Sequence, residues 1–462
     1  MLHSKPFRAF AVLVVVFMML SATISIAAQT QPAGDEYSAR RTALMTKIGT
    51  GMALIPSQIL SPRGPQDDKD FYYLTGIAEP EAVLILWPTA EKREVYFNRQ
   101  GRWPRTEGAA IDTRPLTELR MFLARSAAEK TIHLPFASMD AVFQSAGGGA
   151  VFASAAGMAN LDPVLAAMRI VKSAEEIEII QKAVDITTEA YGEMLKAAQP
   201  GMTEIDLKAV LDYFYSRREA SSSFTQIASG PNSVNIHFGA TNRLMKAGDV
   251  IVFDLGAWLG KNTSDISRTI PVSGAFTKEQ KEIYEVVLEA QKEGIRLMTP
   301  GNGILKTQTA VEDALLRGLQ KLGLVVDPAS PWQRRIYIQH GFIHGIGLEV
   351  HDVWGWFSRQ MRNGLNFQPG MVLTMEPGLY FALEGMDKAV AGIKSQAPKS
   401  EFEAFLEKVA PLYNKYAGLG CRIEDDVLVL ETGNRVLTAR APKEITDIEK
   451  AMKASSPFNL FK

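Results

Sequence analysis

Along this chain, runs of β-branched and aromatic residues bounded by Gly, Pro and Asn alternate with stretches whose apolar positions recur at helical spacing. Val250-Ile251-Val252-Phe253-Asp254-Leu255-Gly256 and Ser264-Asp265-Ile266-Ser267-Arg268-Thr269-Ile270 predict two strands joined by a turn at Gly260-Lys261-Asn262. Paired in that way, Asp254 and Asp265 stand nearly opposite one another. Residues 372–375 predict a strand that ends at Glu376 and is stopped by Pro377-Gly378, and residues 427–430 predict another, preceded by Glu424, Asp425 and Asp426. Ile346, Leu348 and Val350 alternate, which predicts a strand leading to His351. His340 and His344 have the i, i+4 spacing of a zinc helix, but Gly341, Gly345 and Gly347 oppose a helix there and no Glu follows His340.

Upstream, residues 82–87 and 94–97 predict strands, and residues 115–123 carry a helical pattern, so residues 35–170 read as a mixed α/β domain. Ser173 is placed to cap a helix running through Ile177, Ile180, Ala183 and Ile186, which opens a second domain over residues 173–462. Within it, Ser400-Glu401-Phe402-Glu403 predicts a capped helix with Phe402, Phe405, Leu406 and Val409 on one face.

The first 28 residues change the picture of location. Lys5 and Arg8 precede an apolar run from Ala9 to Leu20, and the small residues Ala27 and Ala28 follow, the form of a secretory signal peptide cleaved after one of the two. The run is short for a membrane span. The expectation is an exported protein, periplasmic or secreted, with no stable membrane anchor. The whole chain has a formal charge of −1, and losing the leader removes two cations and no acid, so nothing in the balance invites nucleic acid. Cys421 is the single cysteine, which excludes an intrachain disulfide and reads as a small packed residue.

The candidate chemistry lies in the second domain. Asp254, Asp265, His344, Glu376 and Glu424 are four carboxylates and an imidazole, and four carboxylates in one pocket repel each other unless cations balance them. Two divalent ions would neutralise the set, which points to a dinuclear hydrolytic centre. Three of the six histidines fall within residues 340–351, a clustering that core or surface histidines would not produce.

Phe253-Asp254-Leu255-Gly256-Ala257, Ser264-Asp265-Ile266-Ser267-Arg268-Thr269, the run from His340 to Asp352, Met375-Glu376-Pro377-Gly378 and Arg422-Ile423-Glu424-Asp425-Asp426 resemble the motifs of the pita-bread metallopeptidases, most closely the aminopeptidase P branch. Residues 70–83, from Asp70-Phe71-Tyr72-Tyr73 onward, are similar to that branch's N-terminal domain. The resemblance implies a creatinase-type α/β N-terminal domain followed by an α+β pita-bread domain with a curved antiparallel sheet. It also implies that Asp254 is a terminal ligand of one metal, that Asp265 and Glu424 bridge, and that His344 and Glu376 bind the other metal. His237 and His351 match substrate-binding histidines, and Tyr380 and Arg422 match a tyrosine and an arginine near the site. The implied cofactor is a pair of Mn²⁺ ions, with Co²⁺, Fe²⁺ and Zn²⁺ compatible with the same donors.

The activity so implied is removal of the N-terminal residue from peptides with proline second. A hydroxide shared by the two metals would attack, Glu376 would carry the proton to the leaving nitrogen, and His351 and His237 would complete the catalytic set. The scissile amide before proline has no N–H to recognise. Recognition must then use a pocket for the ring, and Trp354, Trp356 and Tyr380 are candidates to line it. A prolidase restricted to dipeptides shares the same metal site. A creatinase-like hydrolase or a non-catalytic pita-bread binding module would be expected to lack ligands that this chain keeps. A homo-oligomer is expected, and the segment 381–418 is longer than in compact bacterial members.

Overall fold

The apolar runs of the first third of the chain assemble into one mixed sheet. In the computed structural model, residues 34–61, 64–89, 93–104 and 111–458 are described; the leader read over residues 1–28 lies outside them. The first domain contains, in order, α1 (Gly34–Ile48), β1 (Met52–Pro56), the hairpin β2 (Gln58–Ser61) and β3 (Gly64–Asp67), α2 (Lys69–Thr75), β4 (Val83–Trp87), β5 (Arg93–Asn98), β6 (Asp112–Pro115), α3 (Leu119–Ser126), β7 (Thr131–Leu134), α4 (Met139–Ser145), β8 (Gly157–Asn160) and α5 (Asp162–Arg169). Six of these strands form a sheet in the order β6-β5-β4-β1-β7-β8, with β1 antiparallel to β4 and parallel to β7. Side chains alternate across a strand, so Ala53 and Ile55 enter one core while Met52 and Leu54 enter the other, and β1 is apolar throughout because both its faces are covered.

Ser173 begins the second domain with a capping box: its hydroxyl accepts the Glu176 N–H while the Glu176 carboxylate accepts the Ser173 N–H, which satisfies two otherwise orphaned donors of α6 (Ala174–Ala197). Then come α7 (Glu204–Arg217), β9 (Ser221–Ser229), β10 (Val250–Leu259), β11 (Asn262–Thr263), β12 (Ile266–Pro271), α8 (Lys278–Leu297), α9 (Ile304–Lys321), α10 (Pro331–Tyr337) and α11 (Trp354–Arg362). The chain continues through β13 (Val372–Met375), β14 (Gly378–Tyr380), α12 (Met386–Val390), α13 (Lys399–Tyr413), β15 (Gly420–Arg422), β16 (Asp425–Val429), β17 (Asn434–Val436) and α14 (Ile445–Ala451). The pairings are all antiparallel: β10 lies between β9 and β12, β16 between β13 and β17, and β14 beside β15. One large apolar core joins these sheets to α6, α7, α8 and α9. No described helix is long and apolar enough to cross a membrane.

Two sequence expectations are corrected. Residues 346–350 form no strand, although their apolar residues alternate. The three side chains go to three different places: Ile346 into the core of the second domain, Leu348 into the core of the first, and Val350 into the wall of a cavity. Gly345 bridges Leu373 on one side and Asp352 on the other, which closes the segment into a loop. A methyl group at Gly345 would come within 2.9 Å of the Asp352 carbonyl oxygen, so the closure depends on glycine. The helix expected from Ser400 starts at Lys399 after Pro398, and no side chain caps it. Phe402, Phe405 and Val409 are buried as expected; Trp332 lies edge-on to Phe405 and donates to Glu401.

Leu348 packs among Phe71, Leu74, Leu161 and Leu165 although it belongs to the second domain. Truncating a buried leucine leaves a cavity that the surroundings fill only partly, so Leu348→Ala should cost about 2–4 kcal/mol. The check is the midpoint of a urea titration. A midpoint equal to wild type would mean that Leu348 does not sit in that core.

Candidate metal centre

Three of the five predicted ligands sit where a strand is interrupted. Asp265 lies between β11 and β12, Glu376 between β13 and β14, and Glu424 between β15 and β16. A residue at such a break is released from the ladder, and its side chain can turn inward while the flanking strands stay paired. Asp254 alone lies within a strand, where it pairs with Ser267 of β12 and Gln226 of β9. Asp265 is therefore not opposite Asp254 as the sequence suggested. It is two residues away from the facing position, which keeps it on the same side of the hairpin as a diagonal neighbour. The turn itself is tighter than expected: Gly260 and Lys261 take positive φ and Asn262 already belongs to β11. Close packing beside the ligands requires Gly256, where a methyl would fall 2.5 Å from the Ser264 carbonyl oxygen.

The histidine segment is laid along the free edge of β13. Ile346 donates its N–H to Val372, Thr374 to His344 and Glu376 to Phe342. His344 Nε2 thereby comes to 3.2 Å from Glu376 Oε1, 3.7 Å from Asp265 Oδ2 and 3.8 Å from Glu424 Oε1. Its Nδ1 is 3.1 Å from the Gly345 carbonyl oxygen, a bond that fixes the ring with Nε2 toward the acids, where it can bind a cation once it gives up its proton. Asp265, His344 and Glu424 offer ligand atoms all within 4.8 Å of one another. Asp265 Oδ1 and Glu424 Oε1 are buried without a hydrogen-bond partner among the described residues, as is Oδ1 of neighbouring Asp426. Buried carboxylate oxygens left unpartnered within such a cluster fit a site built for cations.

Electrostatics separates these acids. Burial, reinforced by the charges of Glu424 and Asp254, pushes the Asp265 carboxyl well above the usual range. Burial and the Glu376 and Asp254 charges do the same to Glu424. Burial also raises Asp254, opposed by the Arg422 guanidinium paired with it. Glu376 is buried too, but His344 outweighs the desolvation and brings it to about 2. His344 is held above its ordinary value, because Glu376 overcomes the effect of burial. Ser267 stands between Asp254 Oδ1 at 2.9 Å and Glu424 Oε2 at 2.8 Å, and its single proton can serve only one of them.

The acids open into a cavity of about 390 Å³. His237, His340 and His351 reach it, with Phe224, Ile236, Ile343, Val350 and Trp354 supplying an apolar wall. The His351 ring centroid is 4.2 Å from that of His344, and burial together with the His344 charge lowers His351 to about 4, so it is neutral at pH 7. Arg422 donates to the Ile236 carbonyl at 2.9 Å and lies 3.0 Å from the Tyr380 hydroxyl. Tyr380 is buried behind the cavity, bonded to Arg422 and to His340 Nε2 at 3.1 Å. Of the aromatic residues proposed as a ring pocket, Trp354 lines the cavity, whereas Trp356 packs against the apolar core of the domain. A groove of about 600 Å³ between α8 and α9 is larger, but its Glu, Lys and Arg side chains neutralise one another at the surface.

Sequence reasoning passed over three features here. His340 was set aside together with the zinc helix, yet it lines the cavity, and its place in the histidine cluster was the available signal. Asp426 accepts the Asp265 N–H at 3.0 Å and so fixes a ligand's backbone. Asp352 is clasped by Arg169 and by Lys172 at 2.6 Å, which anchors the loop next to His351; no short-range pattern signals a bond across so many residues.

Comparison with known proteins places this geometry. The model of metallopeptidase family M24 matches residues 178–431, and that of the aminopeptidase P N-terminal domain matches residues 37–111. Xaa-Pro aminopeptidase of Escherichia coli (strain K12) is 31% identical over 460 residues, which cover 91% of this chain and 98% of that protein. Xaa-Pro dipeptidase of Homo sapiens is 31% identical over 325 residues, 65% of this chain and 64% of that protein. The solved structure of Escherichia coli aminopeptidase P with the inhibitor Pro-Leu superposes with a TM-score of 0.74 at 30% identity, covering 92% of this chain and 99% of that one.

A carboxyl whose folded-state pKa lies above its unfolded value subtracts stability once the pH passes the unfolded value of about 4. For the metal-free protein the raised Asp265 and Glu424 make this loss grow with pH, and a bound cation removes it. The rise in Tm on adding Mn²⁺ to chelator-stripped protein should therefore be larger at pH 8 than at pH 5.5. A rise that is equal at the two pH values, or absent, would mean that these acids do not share a cation.

Proposed function

This chain belongs to metallopeptidase family M24 and is a metallo-aminopeptidase, and from that premise we propose that it is an exported Xaa-Pro aminopeptidase with two Mn²⁺ ions. The observation that carries the reading is the convergence of His344 with Asp265, Glu376 and Glu424 at the floor of a cavity with an apolar wall. Asp254, Asp265, Glu424, His344 and Glu376 would hold the ions. When bound, divalent cations supply an acidified water and electrophilic pull on the scissile carbonyl.

The remaining steps fall to the chain's own side chains. Glu376, whose carboxyl lies well below those of Asp265 and Glu424, accepts the water's proton and delivers it to the departing proline nitrogen. His351, neutral at pH 7, donates a hydrogen bond to the substrate carbonyl without repelling the cations. His237, exposed at the cavity, contacts the peptide backbone. Arg422 pairs with Asp254, opposing the effect of burial on its carboxyl, and ties it through Tyr380 to His340. The proline nitrogen offers no N–H, so the ring is recognised by shape against Trp354, Val350 and Phe224. The near-complete coverage of the aminopeptidase relative, against about two thirds of the dipeptidase, supports cleavage of tripeptides and longer substrates rather than dipeptides alone. Assembly as a homo-oligomer belongs to the same reading.

The test is hydrolysis of an Xaa-Pro dipeptide and an Xaa-Pro-Xaa tripeptide by the mature protein, with and without Mn²⁺. Release of the first residue from the tripeptide is expected, and Glu376→Gln should lower kcat by about 10²–10⁴. Cleavage of the dipeptide alone would replace the reading with a prolidase, and cleavage of neither by metal-loaded protein would end it. Export is checked separately by mass spectrometry of the protein recovered outside the cytoplasm. The expected N-terminus is Ala28 or Gln29, and an intact leader on all recovered protein would refute processing.

A further inference from the structure

Glu204 is fully buried, and no Lys, Arg or His among the described residues is bonded to its carboxylate. It sits in the first turn of α7, where the helix N-terminus favours a negative charge, and it is surrounded by donors. Its Oε1 accepts the Ser229 N–H at 2.7 Å, the Ser229 hydroxyl at 2.7 Å and the Asn232 amide at 2.9 Å. Its Oε2 accepts the Thr241 N–H at 2.9 Å and the Thr241 hydroxyl at 2.7 Å. Ser229 and Thr241 are the two ends of one loop. Arg243 reinforces the closure, donating to the Ser229 hydroxyl at 2.7 Å.

The crown of that loop is Ile236-His237, and it is pinned from beneath by a second buried group. Gln226, which faces Asp254 across the ladder, donates its amide to the Asn235 carbonyl at 3.3 Å and accepts the Phe238 N–H at 3.0 Å. One side chain thus grips the residues on both sides of Ile236-His237. The Ile236 carbonyl in turn accepts from Arg422, the partner of Asp254. His237 itself is exposed and has no such brace among the described residues, so its position over the cavity is set by the backbone that carries it.

We propose that Glu204 and Gln226 are positioning residues that together hold the loop from Ser229 to Thr241 so that His237 faces the substrate. The inference rests on the reading of His237 as a peptide contact. A neutral isostere at position 204 cannot replace the carboxylate. The backbone N–H groups of Ser229 and Thr241 approach opposite oxygens, and the amide introduced by Glu204→Gln would turn a donor toward one of them. At position 226, a methionine of similar length removes both bonds without adding charge near Asp254.

The experiment compares Mn²⁺-loaded wild type, Glu204→Gln, Gln226→Met and His237→Ala, with each of the first two changes also made in the His237→Ala background. For both clamp variants kcat/KM on an Xaa-Pro-Xaa tripeptide should fall about tenfold or more, and in the His237→Ala background each should add less than about twofold. Bound-metal content should match wild type, and hydrogen exchange should accelerate over residues 230–241 alone. Should Glu204→Gln fail to fold, Gln226→Met decides. Wild-type kcat/KM in a folded clamp variant beside an impaired His237→Ala would overturn the inference alone. So would losses that persist undiminished in the His237→Ala background. A silent His237→Ala would overturn the contact reading beneath it.

Discussion

The constraint on which the second domain is built is the mutual repulsion of its buried acids. Asp254, Asp265, Glu424, Asp425 and Asp426 are all nearly or fully inaccessible, and the mainly exposed positions normal for carboxylates are denied to them. The fold divides them into two classes. Asp425 is neutralised by protein: Arg268 pairs with it at 2.7 Å, Lys443 at 2.5 Å, and Thr438 and Gln291 donate to it. Asp265 and Glu424 each keep a buried oxygen without a hydrogen-bond partner among the described residues. The carboxylate that the chain satisfies directly follows one that it leaves with an unpartnered oxygen, Asp425 lying in β16 and Glu424 at the break before it. A cation bound among these acids would relieve their repulsion and so stabilise the fold.

The parts of this arrangement that were legible in the sequence are local. The capping box at Ser173, the Gly-Lys turn between β10 and β11, and the Pro-Gly stop after Glu376 each depend on neighbours within a few residues. The five candidate ligands were legible in combination, through their resemblance to family motifs, since Glu376 or Glu424 taken alone reads as an ordinary strand-end carboxylate; the structure brings Asp265, His344 and Glu424 together. What was not legible is the register between elements. Asp265 falls two residues from the position facing Asp254, because the second strand of the hairpin is interrupted and regains its pairing only at Ile266. Ile346, Leu348 and Val350 mimic a strand because a period of two records that alternate residues are buried, not what they are buried against. His340 escaped for a related reason: rejecting a helix said nothing about where a loop would carry the ring.

The two domains meet at the segments that carry the candidate ligands. Leu348, between His344 and His351, is part of the first domain's core, while Arg169, at the end of that domain, holds Asp352 together with Lys172. Tyr72 of α2 also donates to the Gly260 carbonyl at the hairpin tip, and Lys261 pairs with Asp67 at 2.9 Å. The loop that carries His344 and His351 and the hairpin that carries Asp254 are therefore both tied to residues of the first domain. A buried ion pair such as Lys172–Asp352 adds little net stability against an apolar replacement, because desolvation offsets the attraction. Its value is geometric, since a charged clasp tolerates few alternative arrangements. The apolar plug at Leu348 contributes free energy and the clasp contributes position. Together they make the first domain a structural component of the metal centre, and any substrate that displaces the loop between His344 and His351 must work against both.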